Sequence, residues 1–77
     1  MGRRATPLER VETLTARLEA LTADRDRAVA EAVAGSVSWP EIAAALGVST
    51  QAAHKRYRWV HYDPATGVVW HEPPLPA

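Results

Sequence analysis

From Pro7 to Ala34 the chain has no glycine, and no proline beyond the first residue; no other feature of the sequence constrains the fold as much. The run opens on Thr6-Pro7-Leu8-Glu9, the pattern of a capping box. In it the Thr6 hydroxyl can accept from the Glu9 amide, and the Glu9 carboxylate can reach back to the Thr6 amide. Pro7 stands at the first helical position, where a missing N–H removes no hydrogen bond. The pattern predicts one helix across residues 7–34, about 42 Å long. In a chain of 77 residues, the segment that follows is too short to cover such a helix from end to end.

The apolar pattern of that helix changes halfway. Val11, Leu14, Leu18 and Leu21 follow a 3-4-3 spacing, a narrow seam of the coiled-coil kind, whereas Ala28, Val29, Ala32 and Val33 form a broader face of smaller residues. The next seam position after Leu21 is Arg25. Two readings stand side by side: the first half pairs with a second subunit, or the whole apolar face turns toward the domain's own core. Two heptads fall short of the three or four that make a convincing coiled coil. Size favours self-association. Below roughly 80 residues a single core seldom supplies more than about 3–5 kcal/mol, and the absence of cysteine removes disulfides and thiolate metal sites together. No stretch approaches the length of a membrane span, and Met1-Gly2-Arg3-Arg4 leads into a charged helix instead of a signal-peptide apolar run. A cytoplasmic protein is expected.

The second punctuation is Gly35-Ser36-Val37-Ser38, followed by another capping box, Ser38-Trp39-Pro40-Glu41. A short helix is expected from Trp39 to about Leu46. Gly47 then stops it by adopting positive φ, Val48 follows, and Ser49 caps a third helix that runs to about Trp59. Residues 38–59 thus read as two short helices joined by a tight turn.

The stretch from Trp39 to Arg56 resembles the helix-turn-helix of small bacterial transcription regulators and the related fourth region of sigma factors. Ile42 and Leu46 match the inward apolar sites of the first helix, and Ala43 the small residue where the helices cross. Gly47 matches the turn glycine, Val48 the buried residue after it, and Ser49 the cap of the recognition helix. The chain departs from the pattern late in that helix, where a buried aliphatic residue is usual but Arg56 and Tyr57 stand. Tyr57, four residues after Ala53, can supply the contact, with the helix slightly rotated. The resemblance implies a helix lying in a major groove of double-stranded DNA, its N-terminal residues against base edges.

With Ala53 and Tyr57 inward, Thr50, Gln51, His54, Lys55 and Arg58 lie on or beside the outward face, and the capping Ser49 joins them as a DNA-contact candidate. Gln51 suits bidentate pairing with adenine, Thr50 a thymine methyl or a phosphate, and Lys55 or Arg58 guanine or the backbone. His54 suits a guanine or a phosphate. A plainly solvated helix face is the competing reading for each residue taken singly. Nine Lys and Arg balance nine Asp and Glu, and zero net charge speaks against the basic footprint usual for nucleic-acid binders. The distribution answers this objection. From Thr50 to Tyr62 there is no acidic residue, because Glu41, Asp63 and Glu72 all fall outside, and screening over about 8 Å limits the influence of distant acids. Arg3 and Arg4 add phosphate or minor-groove contacts if their tail reaches the duplex; a solvated tail is the alternative.

Residues 59–72 turn to strand spacing. Trp59-Val60-His61-Tyr62 and Val68-Val69-Trp70-His71 flank Asp63-Pro64-Ala65-Thr66-Gly67, a turn with proline early and glycine where positive φ is needed. A β-hairpin is expected, with Asp63 facing Val68, Tyr62 facing Val69 and His61 facing Trp70. Val60, Tyr62 and Val69 then share one face and Trp59, His61 and Trp70 the other; one face seals the helical core, and the second finds a partner in the long helix or in another subunit. The hairpin resembles the wing of winged helix-turn-helix proteins. Its tip carries Asp63 and no basic residue, which favours a structural or dimerising role over a grip on phosphates. Residues 73–77 read as a loose tail.

The fold class expected is mainly α, with a long N-terminal helix, a helix-turn-helix and a C-terminal hairpin in one domain. The three histidines invite a metal reading, but the register sets His61 and His71 on opposite faces and no thiolate joins them. No nucleophile motif and no phosphate-cradling loop is present, so neither an enzyme nor a cofactor is expected. The function expected is sequence-specific DNA binding by a homodimeric transcription regulator at the nucleoid, dimerised through Val11, Leu14, Leu18, Leu21 and Trp70. Two alternatives remain. One is a protein–protein interaction module that offers the helical seam and the Trp-rich hairpin to a partner such as RNA polymerase; the other is an architectural DNA binder with little sequence preference.

Overall fold

The computed structural model describes residues 6–72. The expectations for Arg3, Arg4 and the tail 73–77 lie outside the described residues. Three helices, α1 (Pro7–Ala34), α2 (Trp39–Leu46) and α3 (Thr50–Tyr57), precede two strands, β1 (Val60–Asp63) and β2 (Val68–His71). The chain is mainly helical, with a terminal antiparallel hairpin.

Helix α1 is unbroken over 28 residues, and its capping box is formed in both directions, Glu9 amide to Thr6 hydroxyl at 3.1 Å and Thr6 amide to Glu9 carboxylate at 3.4 Å. Its end departs from the glycine punctuation. Gly35 keeps φ at −84°, and Ser36 takes the left-handed conformation at φ 62°. The Val37 amide donates to the Ala32 carbonyl and the Ser36 amide to the Val33 carbonyl. This is a Schellman termination with serine where glycine is usual. The same motif closes α2 with its expected residue: Gly47 has φ 74°, and the Gly47 and Val48 amides return to the Ala44 and Ala43 carbonyls.

The core is small and lies at one end of α1. Val29, Ala30, Ile42, Tyr57 and Val60 form it, with Ala43 and Ala53 buried where α2 crosses α3. Leu46 is half-buried at its edge. Val48 does not take the buried place expected of it and is 47% exposed. The Tyr57 ring is the largest fully enclosed side chain. It packs in the core with Val29, Ala30, Ile42 and Val60, and Val48 lines the surface depression beside it with Leu46 and Ala52.

The hairpin has the expected register, Asp63 with Val68, Tyr62 with Val69 and His61 with Trp70, and Val60 faces His71. Val60 is buried, and Tyr62 and Val69 pack against the core. Helix α3 ends at Tyr57, two residues before the expected Trp59. The Trp59 carbonyl accepts from the Glu72 amide at 2.9 Å, so pairing with the far strand draws the chain out of the helix.

The intramolecular reading of the helical seam does not hold. Val11, Leu14, Leu18 and Leu21 are 58%, 55%, 66% and 66% exposed, and every residue from Pro7 to Leu21 is exposed. Among the described residues no element turns back to cover them.

Candidate nucleic-acid interface

Helix α3 starts because Ser49 has extended backbone angles and its hydroxyl accepts from the Ala52 amide at 3.1 Å. Ala53 and Tyr57, each 1% exposed, anchor its inner face. Tyr57 also donates a 2.6 Å hydrogen bond from its hydroxyl to Asp26 Oδ1 on α1, so the inward tyrosine supplies an apolar ring and a polar tether together. Burial, then the hydrogen bond to Asp26 and the charge of that carboxylate, raises the Tyr57 phenol above its usual range.

Each residue adds about 100° around the helix, so the line opposite Ala53 and Tyr57 runs through Gln51, Lys55 and Arg58. All three are exposed and form the crest of the helix. Thr50 and His54 are exposed but lie to one side. The His54 ring meets Trp39 of α2 edge-on at 5.1 Å. Arg58 caps the helix and sets its guanidinium 5.1 Å from the centre of the Trp59 ring, a cation–π contact that limits its swing. The structure thus divides the expected set into a crest, a flank and a cap.

The acidic residues of this half each have local partners away from the crest. Glu41 closes the second capping box on Ser38, at 3.3 Å to its amide and 3.0 Å to its hydroxyl. Asp63 accepts from the Ala65 amide at 2.9 Å within the hairpin turn. Glu72 lies 3.3 Å from His61 Nε2. Helix α3 itself carries no acid, and His54, Lys55 and Arg56 occupy its last turn. There they oppose the negative end of the helix dipole, a structural benefit that they give with or without a ligand.

Two basic residues that sequence reasoning left unassigned lie off the crest of α3. Arg56 and Arg25 line one depression of about 180 Å³ beside Val48, Ala52 and Tyr57. Arg56 is the departure from the helix-turn-helix pattern, and Arg25 is the break in the seam. The break signals that the seam changes character at that turn, but it takes the packing of the core and the Tyr57–Asp26 hydrogen bond to bring Arg25 and Arg56 to one place.

The hairpin is fastened on its other side. Arg27 of α1 donates to the Gly67 carbonyl, which ties the turn down against the long helix. Gly67 has φ 71°, the positive value expected there. Trp70 is 43% exposed and stacks on His61 with ring centres 5.3 Å apart and planes at 19°. Among the described residues no helix is long and apolar enough to cross a membrane. Set against known proteins, the chain matches no family model, no curated protein and no solved structure.

Proposed function

We propose that the chain binds double-stranded DNA sequence-specifically, with α3 in the major groove, and regulates transcription as a homodimer. The observation that carries this reading is the acid-free crest of Gln51, Lys55 and Arg58 on a helix whose opposite side is locked by Ala53 and Tyr57. A rigid helix that projects polar and basic side chains is what base-edge readout needs. Gln51, the second residue of α3, suits pairing with adenine. Lys55 and Arg58 meet guanine or phosphate farther along. Thr50 and His54 reach the neighbouring strand from the flank, and Ser49, its oxygen engaged as a cap, keeps a hydroxyl proton for a phosphate. The resemblance to helix-turn-helix regulators points the same way. With zero net charge over the whole chain, the non-specific part of the affinity is modest and leans on a second subunit.

An electrophoretic shift over a salt series tests the reading. A specific complex that weakens steeply with salt is expected, and selection from random duplexes returns an inverted repeat. Gln51→Ala relaxes base preference at one position by about 1–3 kcal/mol. If Gln51→Ala and Arg58→Ala both leave binding unchanged, the assignment of the reading face is wrong. A second reading has its own support: the bare α1 seam and the exposed Trp59 and Trp70 suit a protein–protein interaction module for a partner such as RNA polymerase. That reading gives no DNA complex at any salt. An architectural binder gives a complex that ignores competitor sequence.

A further inference from the structure

The bare half of α1 is one side of a surface whose other side is on the same chain. Beyond Leu21 the seam passes Arg25, Ala28 and Ala32 and opens into an apolar groove of about 260 Å³ between α1 and α2, lined also by Val37, Ile42 and Ala45. Large residues project from one half of the helix, and small residues with a groove mark the other. A helix laid alongside in the opposite direction brings each half against its complement.

We infer that two copies of the chain pair through α1 in antiparallel orientation, with Leu18 against the partner's Leu21, Leu14 against the partner's Arg25 and Val11 against the partner's Ala28. This rests on the dimer of the proposed function and assigns its geometry. In heptad terms Val11, Leu18 and Arg25 occupy a, and Leu14, Leu21 and Ala28 occupy d. Parallel pairing sets a against a, which drives Arg25 onto the partner's Arg25 in the middle of the seam. Antiparallel pairing sets a against d, so Arg25 lays its aliphatic stem along the partner's Leu14 and keeps its charge at the edge.

The flanking charges select the register. The g positions are Arg10, Arg17, Asp24 and Glu31, and the e positions Leu8, Thr15, Thr22 and Val29 carry no charge. Parallel helices pair g with e and leave all four charges unmatched. Antiparallel helices pair g with g, and in this register Arg17 meets the partner's Asp24 while Arg10 meets the partner's Glu31. Sliding one heptad in one direction sets Arg17 against the partner's Arg17; sliding in the other sets Asp24 against the partner's Asp24. Leu8, 68% exposed, lies on the edge that faces the partner's groove, where Val29 forms part of the floor, and extends the apolar contact.

The same register spaces the two heads. Ala30, 1% exposed and at the heart of the core, lies about 21 residue rises along the axis from its symmetry mate, or about 32 Å. One turn of B-DNA spans about 34–36 Å.

The chain has no cysteine, so introduced thiols report this geometry without background, and on DNA-free protein the outcome is independent of DNA binding. Leu14→Cys mixed in equal amounts with Arg25→Cys and oxidised is expected to give the mixed disulfide, identified by mass. Leu14→Cys alone stays unlinked, because it lies about 17 Å from its mate, beyond the roughly 7 Å that a disulfide spans. A Leu14→Cys homodisulfide, or no mixed product, overturns the inference. So does a monomer at several hundred micromolar in sedimentation. As a second measurement, Arg17→Asp or Asp24→Arg alone raises the dimer dissociation constant about tenfold, and the double exchange restores it to within about threefold. A double exchange no better than the weaker single variant overturns the register.

Discussion

The two halves of α1 obey the same helical rules and meet opposite fates. From Pro7 to Leu21 every residue is exposed, leucines included, whereas from Asp26 to Val33 the helix buries Val29 and Ala30 and tethers both α3 and the hairpin. Helix formation and burial are therefore separate here. Capping and propensity keep the first half helical, and contacts distant in sequence hold the second. A protruding helix with an aliphatic stripe is stable against fraying only while something covers the stripe, since isolated helices of this length are marginal in water.

The sharpest way to break that contrast is to remove one large side chain from each half. Ile42→Ala, which empties the core beneath the packed half, is expected to cost about 3 kcal/mol in thermal or urea unfolding. Leu18→Ala in the bare half shifts the unfolding of dilute monomer by less than about 0.5 kcal/mol while weakening self-association in sedimentation. A loss of monomer stability as large as that of Ile42→Ala would mean that the first half is packed after all.

Tyr57→Phe tests what holds α3 to the packed half. Losing the bond to Asp26 is expected to cost about 1–2 kcal/mol with the helix content unchanged in circular dichroism. It also removes a pH dependence. The unfolded phenol titrates near 10 and the folded phenol higher, so above about pH 10 the unfolded state holds fewer protons. The stabilising contribution is complete below that pH and is lost as pH rises through the folded value. The wild type therefore loses stability in alkali over that window more steeply than Tyr57→Phe. Equal slopes would show that the Tyr57 bond does not carry the effect.

The smallest expected effect is at the end of α1. Ser36 holds φ 62° without being glycine, and Ser36→Gly is expected to raise stability by about 0.5–1 kcal/mol. A loss in calorimetry would mean that the serine side chain contributes more than its backbone strain costs.

Local signals were legible in the sequence where the physics is local. Both capping boxes, the bounds of α1 and α2, the positive φ of Gly47 and Gly67 and the hairpin register follow from short-range hydrogen bonding and from alternation across two strands. The end of α3 was misplaced because the pull on Trp59 comes from Glu72, at the far end of the hairpin. Val48 is 47% exposed where the helix-turn-helix pattern has a buried residue, and the reach of Tyr57 to Asp26 has no sequence signature. On α3, the helical angle alone separated inside from outside and set Gln51, Lys55 and Arg58 opposite Ala53 and Tyr57. The edge-on contact of His54 with Trp39 depended on how α2 lies against α3.

Asp26 and Arg27 are neighbours in the chain, and one fastens α3 while the other fastens the hairpin turn. A fluctuation that unwinds this single turn of α1 releases both attachments together. The amides of the head therefore exchange with solvent deuterium through one shared opening, whereas those of residues 7–21 in the free monomer exchange through progressive fraying from the N-terminus. The most slowly exchanging amides should cluster around Val29 and Ala30, which makes the cooperative folding unit of this chain begin in the middle of its longest helix.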